Sequence, residues 1–297
     1  MTRFFYSLIV FALFFIQAPL EAKKNYQHPF AVCAIFQSEA RFLKEWIEFH
    51  KLMGATRIYL YNNLSDDNYL EILRPYIATK EVVLTQWPYA ATDVTDWTRI
   101  QTSAYLDAIK QAKKDKVKWL AILDTDEFLF PAIAPNMVAY LRDFEQFGGV
   151  VAHWQLFGTS DVDVVPPNKL MIEVLVRQAD PAYGENAFIK SIVRPERVSS
   201  MKDPHFVEYK HPYYAVGQDF NHVKHSHSPY IIVNKLRINH YWSRDRKFFE
   251  ERKMPRRQKW SEGPSGQLQR LANINLYEDY TIFRFIDALK QRMGLPQ

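Results

Sequence analysis

The chain has 297 residues, of which 47% are hydrophobic and 15% aromatic, and its formal net charge is +5. A chain of this length and composition can bury a sizeable core in one large domain of the α/β type, which argues against intrinsic disorder. Cys33 is its only cysteine, so an internal disulfide is excluded.

The N-terminal segment has the pattern of a secretory signal. Arg3 precedes an apolar run over residues 4–16, and small residues follow before a lysine pair. The run is shorter than the roughly 20 residues that span a bilayer comfortably, so we expect a signal peptide over residues 1–22, cleaved near Ala22. An uncleaved signal anchor, with membrane association, is the alternative. Both interpretations predict the secretory pathway or the cell envelope.

The next part of the chain alternates between strand and helix patterns. Polar turn residues separate the segments, and Gly54 ends the first helix. This alternation predicts an α/β domain whose parallel sheet is covered by helices on both faces. The predicted strands are 30–36, 57–61, 80–87 and 119–123, and the predicted helices are 42–53, 69–76 and 96–114.

Beyond Pro131 the alternation loosens and the architecture is expected to be mixed. Prolines punctuate this half, as Pro166-Pro167, Asp180-Pro181 and Asp203-Pro204, but nothing resembles a long linker, so we expect one continuous domain. The predicted helices are 135–147, a basic helix after Ser243 and 278–293, and the predicted strands are 150–154, 170–176 and 189–194.

Two acidic residues follow the strand at 119–123. Asp124 and Asp126 are two positions apart, so alternation along a strand points both carboxylates the same way, and their repulsion is unfavourable without a cation between them. Ligands of open α/β sheets collect at the carboxyl ends of the strands, where this pair lies. We therefore expect Mn²⁺ or Mg²⁺ to hold a nucleotide-sugar diphosphate here. A solvated acidic pair in a strand-end turn is the alternative.

Basic residues crowd the end of the chain, between Lys235 and Lys259. Such a local positive field is typical of a solvated helix face, and an anion-binding or membrane-surface role is the alternative. No nucleic-acid-binding motif accompanies the charge, so nucleic acid is not expected as a partner.

Eight short motifs occur in order along the chain: CAIF at 33–36, EAR at 39–41, LKEWIEFH at 43–50, YLYNN at 59–63, KWL at 118–120, DTDEF at 124–128, KSIVRP at 190–195 and INHYW at 238–242. Together they resemble glycosyltransferase family 92 and its bacterial relatives in the family 2 clan. The resemblance implies a GT-A fold, which is a Rossmann-like nucleotide-diphospho-sugar transferase fold with a mostly parallel central sheet and an elaborated mixed second half. It also implies a UDP-linked hexose donor, a divalent metal and inversion at the anomeric carbon. We assign residues 28–260 to this domain and residues 261–297 to a helical extension of it.

The metal site is predicted around the two aspartates. Asp124 is assigned to the donor ribose or the metal, and Asp126 to direct coordination of Mn²⁺ or Mg²⁺. His240 matches a late histidine of the family, which implies a third ligand, although a lone histidine more often has a structural role. Three histidines within 222–227 are a weaker alternative, because these ions prefer oxygen ligands.

Four further residues are predicted to contact the donor. Glu39 follows the first strand, where the nucleoside of a donor should lie, and stabilisation of a helix N-terminus is an equal explanation. Asn62 stands where the family often has an aspartate that contacts the donor. Lys190 and Arg194 resemble family residues that meet the diphosphate, with charge protection of a strand edge as the alternative.

The acceptor side of the site is predicted near residue 160. Trp154 can stack on a sugar, although a tryptophan is more often a core residue. Asp161 follows it closely and is our predicted general base, with Glu173 and Asp219 as rivals.

Three functions from different classes follow. An inverting glycosyltransferase that moves a hexose to a glycan or another hydroxyl acceptor is favoured by the combined motifs. A metal-dependent nucleotide-sugar hydrolase would use the same aspartates. A catalytically inactive carbohydrate-binding relative is the third, and the intact Asp124 and Asp126 argue against it.

Overall fold

A computed structural model describes residues 24–258 and 263–296, so the predicted signal segment lies outside the described residues. Within these ranges no helix has both the length and the hydrophobicity that crossing a bilayer requires.

The first half of the chain forms the predicted alternation of strands and helices. Its elements are β1 (Ala31–Phe36), α1 (Ala40–Leu52), β2 (Arg57–Asn62), α2 (Tyr69–Ala78), β3 (Val82–Gln86), α3 (Val94–Lys114) and β4 (Leu120–Ile122). Strand β1 pairs in parallel with both β2 and β4, and β2 pairs in parallel with β3.

The second half is mixed, as expected. Its strands are β5 (Glu127–Pro131), β6 (Gly149–Leu156), β7 (Arg177–Gln178), β8 (Ile189–Val193), β9 (Val198–Met201), β10 (Val207–Tyr209), β11 (Ala215–Val216), β12 (His222–Val223), β13 (Leu236–His240) and β14 (Tyr277–Glu278). Its helices are α4 (Met137–Tyr140), α5 (Met171–Val174), α6 (Arg246–Phe248), α7 (Met254–Gln258), α8 (Pro264–Asn273) and α9 (Ile286–Met293). A π-helical turn, Phe249–Lys253, joins α6 to α7.

Ten of the strands in the described ranges make one central sheet. Its order is β12-β11-β6-β8-β4-β1-β2-β3, and β13 joins it by pairing with β6 and with β5. Strand β8 runs antiparallel between β4 and β6, while the β3-β2-β1-β4 portion is parallel. The prediction of an α/β fold with a mostly parallel sheet and an elaborated mixed second half is confirmed.

Helix α1 packs one apolar face on the sheet. Five large side chains of this face are buried, and each stabilises the fold by about 1.5–3 kcal/mol. Trp46 also donates its indole N–H to the backbone carbonyl of Glu127, at 2.8 Å, which joins the helix to β5. Gly54 follows the helix at φ +99°, where a Cβ would lie 2.8 Å from Val138 Cγ2, so only glycine fits the turn. The five side chains are those of Phe42, Leu43, Trp46, Ile47 and Phe49.

Three segments differ from their predicted structure. The helix predicted at 135–147 is short, because α4 ends at Tyr140 and a 3₁₀ turn, Leu141–Phe144, follows it. Residues 170–176, predicted as a strand, contain the short helix α5. Its first backbone N–H groups, those of Met171 and Ile172, donate to the buried Glu45 carboxylate at 2.8 and 3.0 Å. The helix predicted at 278–293 is shorter, because β14, a 3₁₀ turn and α9 share that segment.

Candidate active site

A cleft of about 330 Å³ opens where β1 and β4 end. One side is formed by the residues after β1 and the first turns of α3, and the other by residues of the second half. Both aspartates of the acidic motif line it. The cleft therefore lies at the carboxyl edge of the parallel strands, where ligands of such sheets bind.

The acidic motif forms a tight turn between β4 and β5, so strand alternation does not orient its carboxylates. The backbone N–H of Asp124 donates to the Glu127 carboxylate at 2.9 Å, and the N–H of Glu127 donates to the carbonyl of Asp124 at 3.1 Å. Glu127 is fully buried and burial raises its pKa well above the ordinary value, although Lys190 opposes this. The turn itself directs Asp124 and Asp126 into the same cleft.

Asp124 is held by three donors from the protein. Tyr105 donates to Oδ1 at 2.8 Å, Gln101 to the same oxygen at 3.4 Å, and Lys190 to Oδ2 at 2.9 Å. Burial alone would raise the pKa of Asp124, but Lys190 outweighs it and holds the pKa below the usual value. This carboxylate is therefore ionised and fixed in orientation.

Lys190 lies beneath the cleft and does not line it. Its side chain is only 1% exposed, and its ammonium lies 2.9 Å from Asp124 and 3.7 Å from Glu127. The structure thus gives Lys190 the place of a counter-ion inside the protein, so the predicted diphosphate contact is not what the geometry supports.

Asp126 is bound by one lysine and one histidine. Lys253 donates to Oδ2 at 2.8 Å, and His240 Nε2 lies 3.3 Å from Oδ1. Burial would raise the pKa of Asp126, but Lys253 and His240 hold it well below its ordinary value. His240 is brought here because β13 pairs with β5 and places it opposite Glu127. Burial lowers the pKa of His240, so the imidazole is neutral near pH 7.

Asp126 and His240 are the groups that fit a divalent ion. The 3.3 Å between Oδ1 and Nε2 suits a hydrogen bond, and it is also near the spacing of neighbouring ligands that each lie about 2.1 Å from one octahedral ion. Asp124 faces its own donors and does not join them, and in residues 24–258 and 263–296 no three His, Cys, Asp or Glu residues form a metal cluster. Ions at nucleotide sites often take one or two carboxylates and complete their shell with water and substrate phosphates, so this donor set fits.

Glu39 lines the cleft beyond β1, as predicted. It forms a buried ion pair with Arg244, whose guanidinium also stacks on the ring of Phe42 at 4.5 Å. Burial raises the pKa of Glu39 although Arg244 opposes it. The carboxylate is therefore anchored by Arg244 while it lines the cleft.

Two predicted donor contacts are absent from the residues that line the cleft. Asn62 is buried at the end of β2, where its amide donates to Tyr69 at 2.9 Å and to Gln86 at 2.7 Å. Arg194 donates to the carbonyl of Glu145 at 3.0 Å and to Glu196 at 3.1 Å. Both side chains are used in holding loops, which is why the structure does not bring them to the site.

Trp154 lines the cleft and is almost fully buried. Its ring lies 4.4 Å from the ring of His240 and 5.1 Å from that of His205. His205 Nδ1 donates to the carbonyl of Ile189 at 3.1 Å, so its Nε2 is left as an acceptor, and burial lowers its pKa to about 3. Trp154 thus adds an aromatic side chain to the cleft next to two imidazole rings.

The structure does not bring the predicted general base to the cleft. Asp161 is 57% exposed and forms an ion pair with Arg177. Its rivals also lie elsewhere, because Glu173 pairs with Lys290 at 2.8 Å and Asp219 accepts from Asn221 at 2.6 Å. The prediction depended on sequence proximity to Trp154, whereas the turn after β6 carries Asp161 away to the pair of β7 and β14.

Sequence reasoning missed the basic wall of the cleft. Four basic side chains of the described residues line it. In the sequence, three of them belong to the basic cluster between Lys235 and Lys259, and the fourth lies in the predicted helical extension. Arg270 forms an ion pair with Glu185 and stacks on Trp242 at 4.2 Å. The four side chains are those of Lys253, Arg256, Arg257 and Arg270.

Sequence comparison finds one family model and several curated proteins that match this chain. A family model described as "Glycosyltransferase family 92" matches residues 28–275. A family 92 protein of Arabidopsis thaliana is 26% identical over 61% of this chain and 31% of its own length. One of Oryza sativa subsp. japonica is 26% identical over 72% of this chain and 33% of its own length. The chain spans about a third of the length of these curated relatives.

Structure comparison finds partial, low-scoring similarity. S. aureus TarS in complex with UDP-GlcNAc aligns with a TM-score of 0.34 and 13% identity, over 56% of this chain and 45% of that one. Glucosyl-3-phosphoglycerate synthase from Mycobacterium tuberculosis, in complex with Mn²⁺, UDP and glucosyl-3-phosphoglycerate, aligns with a TM-score of 0.31 and 10% identity over 58% of each chain.

Proposed function

The chain belongs to glycosyltransferase family 92, whose match covers residues 28–275, and we propose that it transfers a hexose from a UDP-linked donor to a hydroxyl of a glycan acceptor, with inversion at the anomeric carbon. The family predicted from the sequence motifs is thereby confirmed. The donor, the acceptor and the stereochemistry are our proposals for this chain.

One observation carries the proposal. Asp124 and Asp126 are both ionised, and they line one open cleft at the carboxyl edge of β1 and β4. A carboxylate pair that was closed off from any cleft, or divided between two sites, would not serve a nucleotide sugar, because the leaving diphosphate and the reacting carbon must reach the same polar groups. The cleft volume of about 330 Å³ lies within the range of small-molecule sites.

Different residues along the cleft bind different parts of the nucleotide sugar. Glu39 and the first turns of α3, with Trp97 and Thr98, bound the end that receives the nucleoside. Tyr105 and Lys190 fix the orientation of the Asp124 carboxylate, which accepts a hydrogen bond from the ribose of the nucleotide sugar. Trp154 lines the part of the cleft beside His240, where it can contact a sugar.

A divalent ion, Mn²⁺ or Mg²⁺, belongs to the proposal. Asp126 and His240 would hold it, and when bound it would supply positive charge to the leaving diphosphate. Lys253 already neutralises the other oxygen of Asp126, so the carboxylate keeps one oxygen for the cleft. The base that deprotonates the acceptor has to come from the cleft, and the assignment of Asp161 stays a prediction that its exposed position does not support.

We also propose that residues 1–22 direct the protein to the secretory pathway or the cell envelope, with cleavage near Ala22. Mass determination of the mature N-terminus tests this. A mature chain that begins near residue 23 supports cleavage, and an intact N-terminus in the membrane fraction supports an anchor.

The function is tested with a panel of nucleotide sugars. Thermal unfolding is measured with each donor, with and without Mn²⁺, and release of the nucleoside diphosphate is then measured with and without glycan acceptors. Asp126→Asn should lose the metal-coupled stabilisation, whereas the matched control Asp163→Asn, which removes an exposed carboxylate outside the cleft, should keep it.

Three results would change the conclusion. Diphosphate release that needs no acceptor identifies a hydrolase. Donor binding without turnover on any acceptor identifies an inactive relative. Stabilisation by Mn²⁺ and donor that survives in Asp126→Asn contradicts the role of this carboxylate.

A further inference from the structure

The acids and bases of the cleft do not balance. Among residues 24–258 and 263–296, four acidic side chains line it, and each is already paired with a basic side chain: Glu39 with Arg244, Asp124 with Lys190, Asp126 with Lys253 and Glu185 with Arg270. Two of these partners, Arg244 and Lys190, approach from behind the cleft, so they compensate the acids without adding charge to the open side. Lys253 and Arg270 are each paired with one of these acids, whereas Arg256 adds positive charge at the cleft surface that none of the four acids pairs with.

Arg256 is the clearest part of this excess. It lines the cleft, its side chain makes no hydrogen bond within the described residues, and its Nε is buried without a partner. An arginine has five N–H donors, and leaving buried ones unsatisfied is costly. Such a group fits an incoming anion with several acceptor oxygens.

Lys253 adds a second set of donors beside it. Its side chain is 7% exposed, and in the part of the chain that the structure describes it forms an ion pair with one carboxylate, that of Asp126, at 2.8 Å. An ammonium has three donors, so two remain for the open cleft that Lys253 lines. An anion that touched Lys253 would thus lie next to Asp126 and the groups that fit a metal ion.

The backbone explains why these two side chains converge. Asp245 caps the segment by accepting from the N–H of Phe248 at 3.0 Å, and Phe248 and Phe249 are buried. Lys253 ends the π-helical turn and Arg256 follows three residues later in α7, so both project from one face. A π-helical turn of this kind occurs frequently at functional sites. The segment is anchored at its start and presents two cations at its end.

We propose that Lys253 and Arg256 bind the diphosphate of the donor nucleotide sugar and stabilise it as the leaving group. This rests on the proposed glycosyl transfer and adds the residues that carry its charge. Two adjacent phosphates supply enough acceptor oxygens for the forked guanidinium and the ammonium together, whereas a single carboxylate would satisfy only one of them. The excess positive charge of the wall is matched by the negative charge of a diphosphate.

The test measures binding by titration calorimetry, with UDP, inorganic pyrophosphate and uridine as probes, in the presence of EDTA and again with Mn²⁺. In EDTA, Arg256→Met and Lys253→Met should each lower the affinity for UDP and for pyrophosphate about 10- to 100-fold, since each removes charge-assisted hydrogen bonds. Uridine, which lacks phosphate, should bind both variants and the wild type alike. Lys253→Arg should recover most of the loss because it keeps the charge.

Lys247→Met is the matched control. It removes one positive charge from the same segment, but Lys247 is exposed and does not line this cleft. Its affinities should stay within about twofold of the wild type, as expected for a distant, screened charge. Thermal unfolding of each variant confirms that it is folded, which matters most for Lys253→Met because Asp126 loses its partner there.

The outcomes separate this subsite from the proposed function. The subsite is overturned if Arg256→Met and Lys253→Met each bind pyrophosphate and UDP as tightly as the wild type does. It is also overturned if the wild type binds neither pyrophosphate nor UDP in either buffer. If both probes bind in the predicted order but no nucleotide sugar is consumed, the diphosphate subsite stands and glycosyl transfer is refuted. A loss of uridine affinity equal to that of UDP overturns the subsite as well, because the contact is then not with phosphate.

Discussion

Replacement of Lys190 by methionine should weaken the fold, because its side chain is a buried counter-ion beneath the cleft. The side chain is 1% exposed, and its ammonium neutralises Asp124 at 2.9 Å, with Glu127 only 3.7 Å away. Methionine keeps most of the side-chain volume and removes the charge, so Asp124 loses its counter-ion beside a second buried acid. The change isolates the ion pair from the packing around it.

The expected cost follows from the burial of the pair. Breaking a buried ion pair by removing one partner costs about 3–5 kcal/mol. The side chain of Asp124 is 27% exposed toward the cleft, so water partly solvates the orphaned carboxylate, and we expect the lower end, about 3 kcal/mol. For a domain of this size the melting temperature should fall by about 6–12 °C.

Urea unfolding, followed by tryptophan fluorescence, measures the loss. The double variant Lys190→Met/Asp124→Asn removes both charges and should recover about 1–2 kcal/mol relative to Lys190→Met alone, because the two residues are in contact. Lys247→Met, an exposed lysine, is the control and should unfold like the wild type. The reasoning fails if Lys190→Met keeps the wild-type urea midpoint and instead loses UDP affinity about tenfold, since Lys190 would then be a donor ligand as the sequence suggested.

Three further changes test other parts of the structure. Asp161→Asn should transfer sugar at a rate within about twofold of the wild type, because the carboxylate is exposed and outside the cleft. A loss of rate of about a hundredfold or more would make Asp161 the general base. Burial raises the pKa of Glu45 from 4.5 to about 7, so the folded state keeps a proton that the unfolded state releases, and stability falls as the pH rises from 4.5 to 7. Glu45→Gln should remove about 3 kcal/mol of that fall, measured as the difference between urea unfolding at the two pH values, and an unchanged slope would show that Glu45 titrates normally. Gly54→Ala should lower the free energy of unfolding by about 1–3 kcal/mol because of the positive φ and the contact with Val138. Gly266→Ala, in an open position of α8, should raise it by about 0.5–1 kcal/mol. Thermal unfolding of both variants measures the two signs, and an unchanged stability of Gly54→Ala contradicts the packing at that turn.

The first half of the fold could be predicted because its signals are local. Strands β1 to β4 each read as a short apolar run, and α1 shows helical spacing that ends at a glycine with positive φ. The second half depends on distant partners. The apolar run at 170–176 shows no period that separates strand from helix, and it becomes α5 because Glu45, more than a hundred residues earlier, accepts from its backbone.

The acidic residues of the candidate site could be predicted from the sequence, whereas its basic residues could not. The acidic motif and His240 meet as the motifs implied, since β13 pairs with β5 directly after the turn. The basic cluster holds many lysines and arginines, and the sequence has no signal that selects Lys253 and Arg256 among them. That selection depends on the π-helical turn and on where Asp245 begins the segment.

Lys190 and Lys253 show why spacing alone could not assign the cations. Each lysine meets one aspartate of the same turn, at 2.9 and 2.8 Å, and each is nearly buried. Lys190 belongs to β8, inside the sheet between β4 and β6, so its ammonium reaches the turn from the sheet, and its side chain is buried. Lys253 belongs to a segment outside the sheet and reaches the turn from above, where the cleft is open. The position of each lysine relative to the sheet therefore decides its role: Lys190 neutralises Asp124 permanently, and only Lys253 can exchange contacts with a ligand.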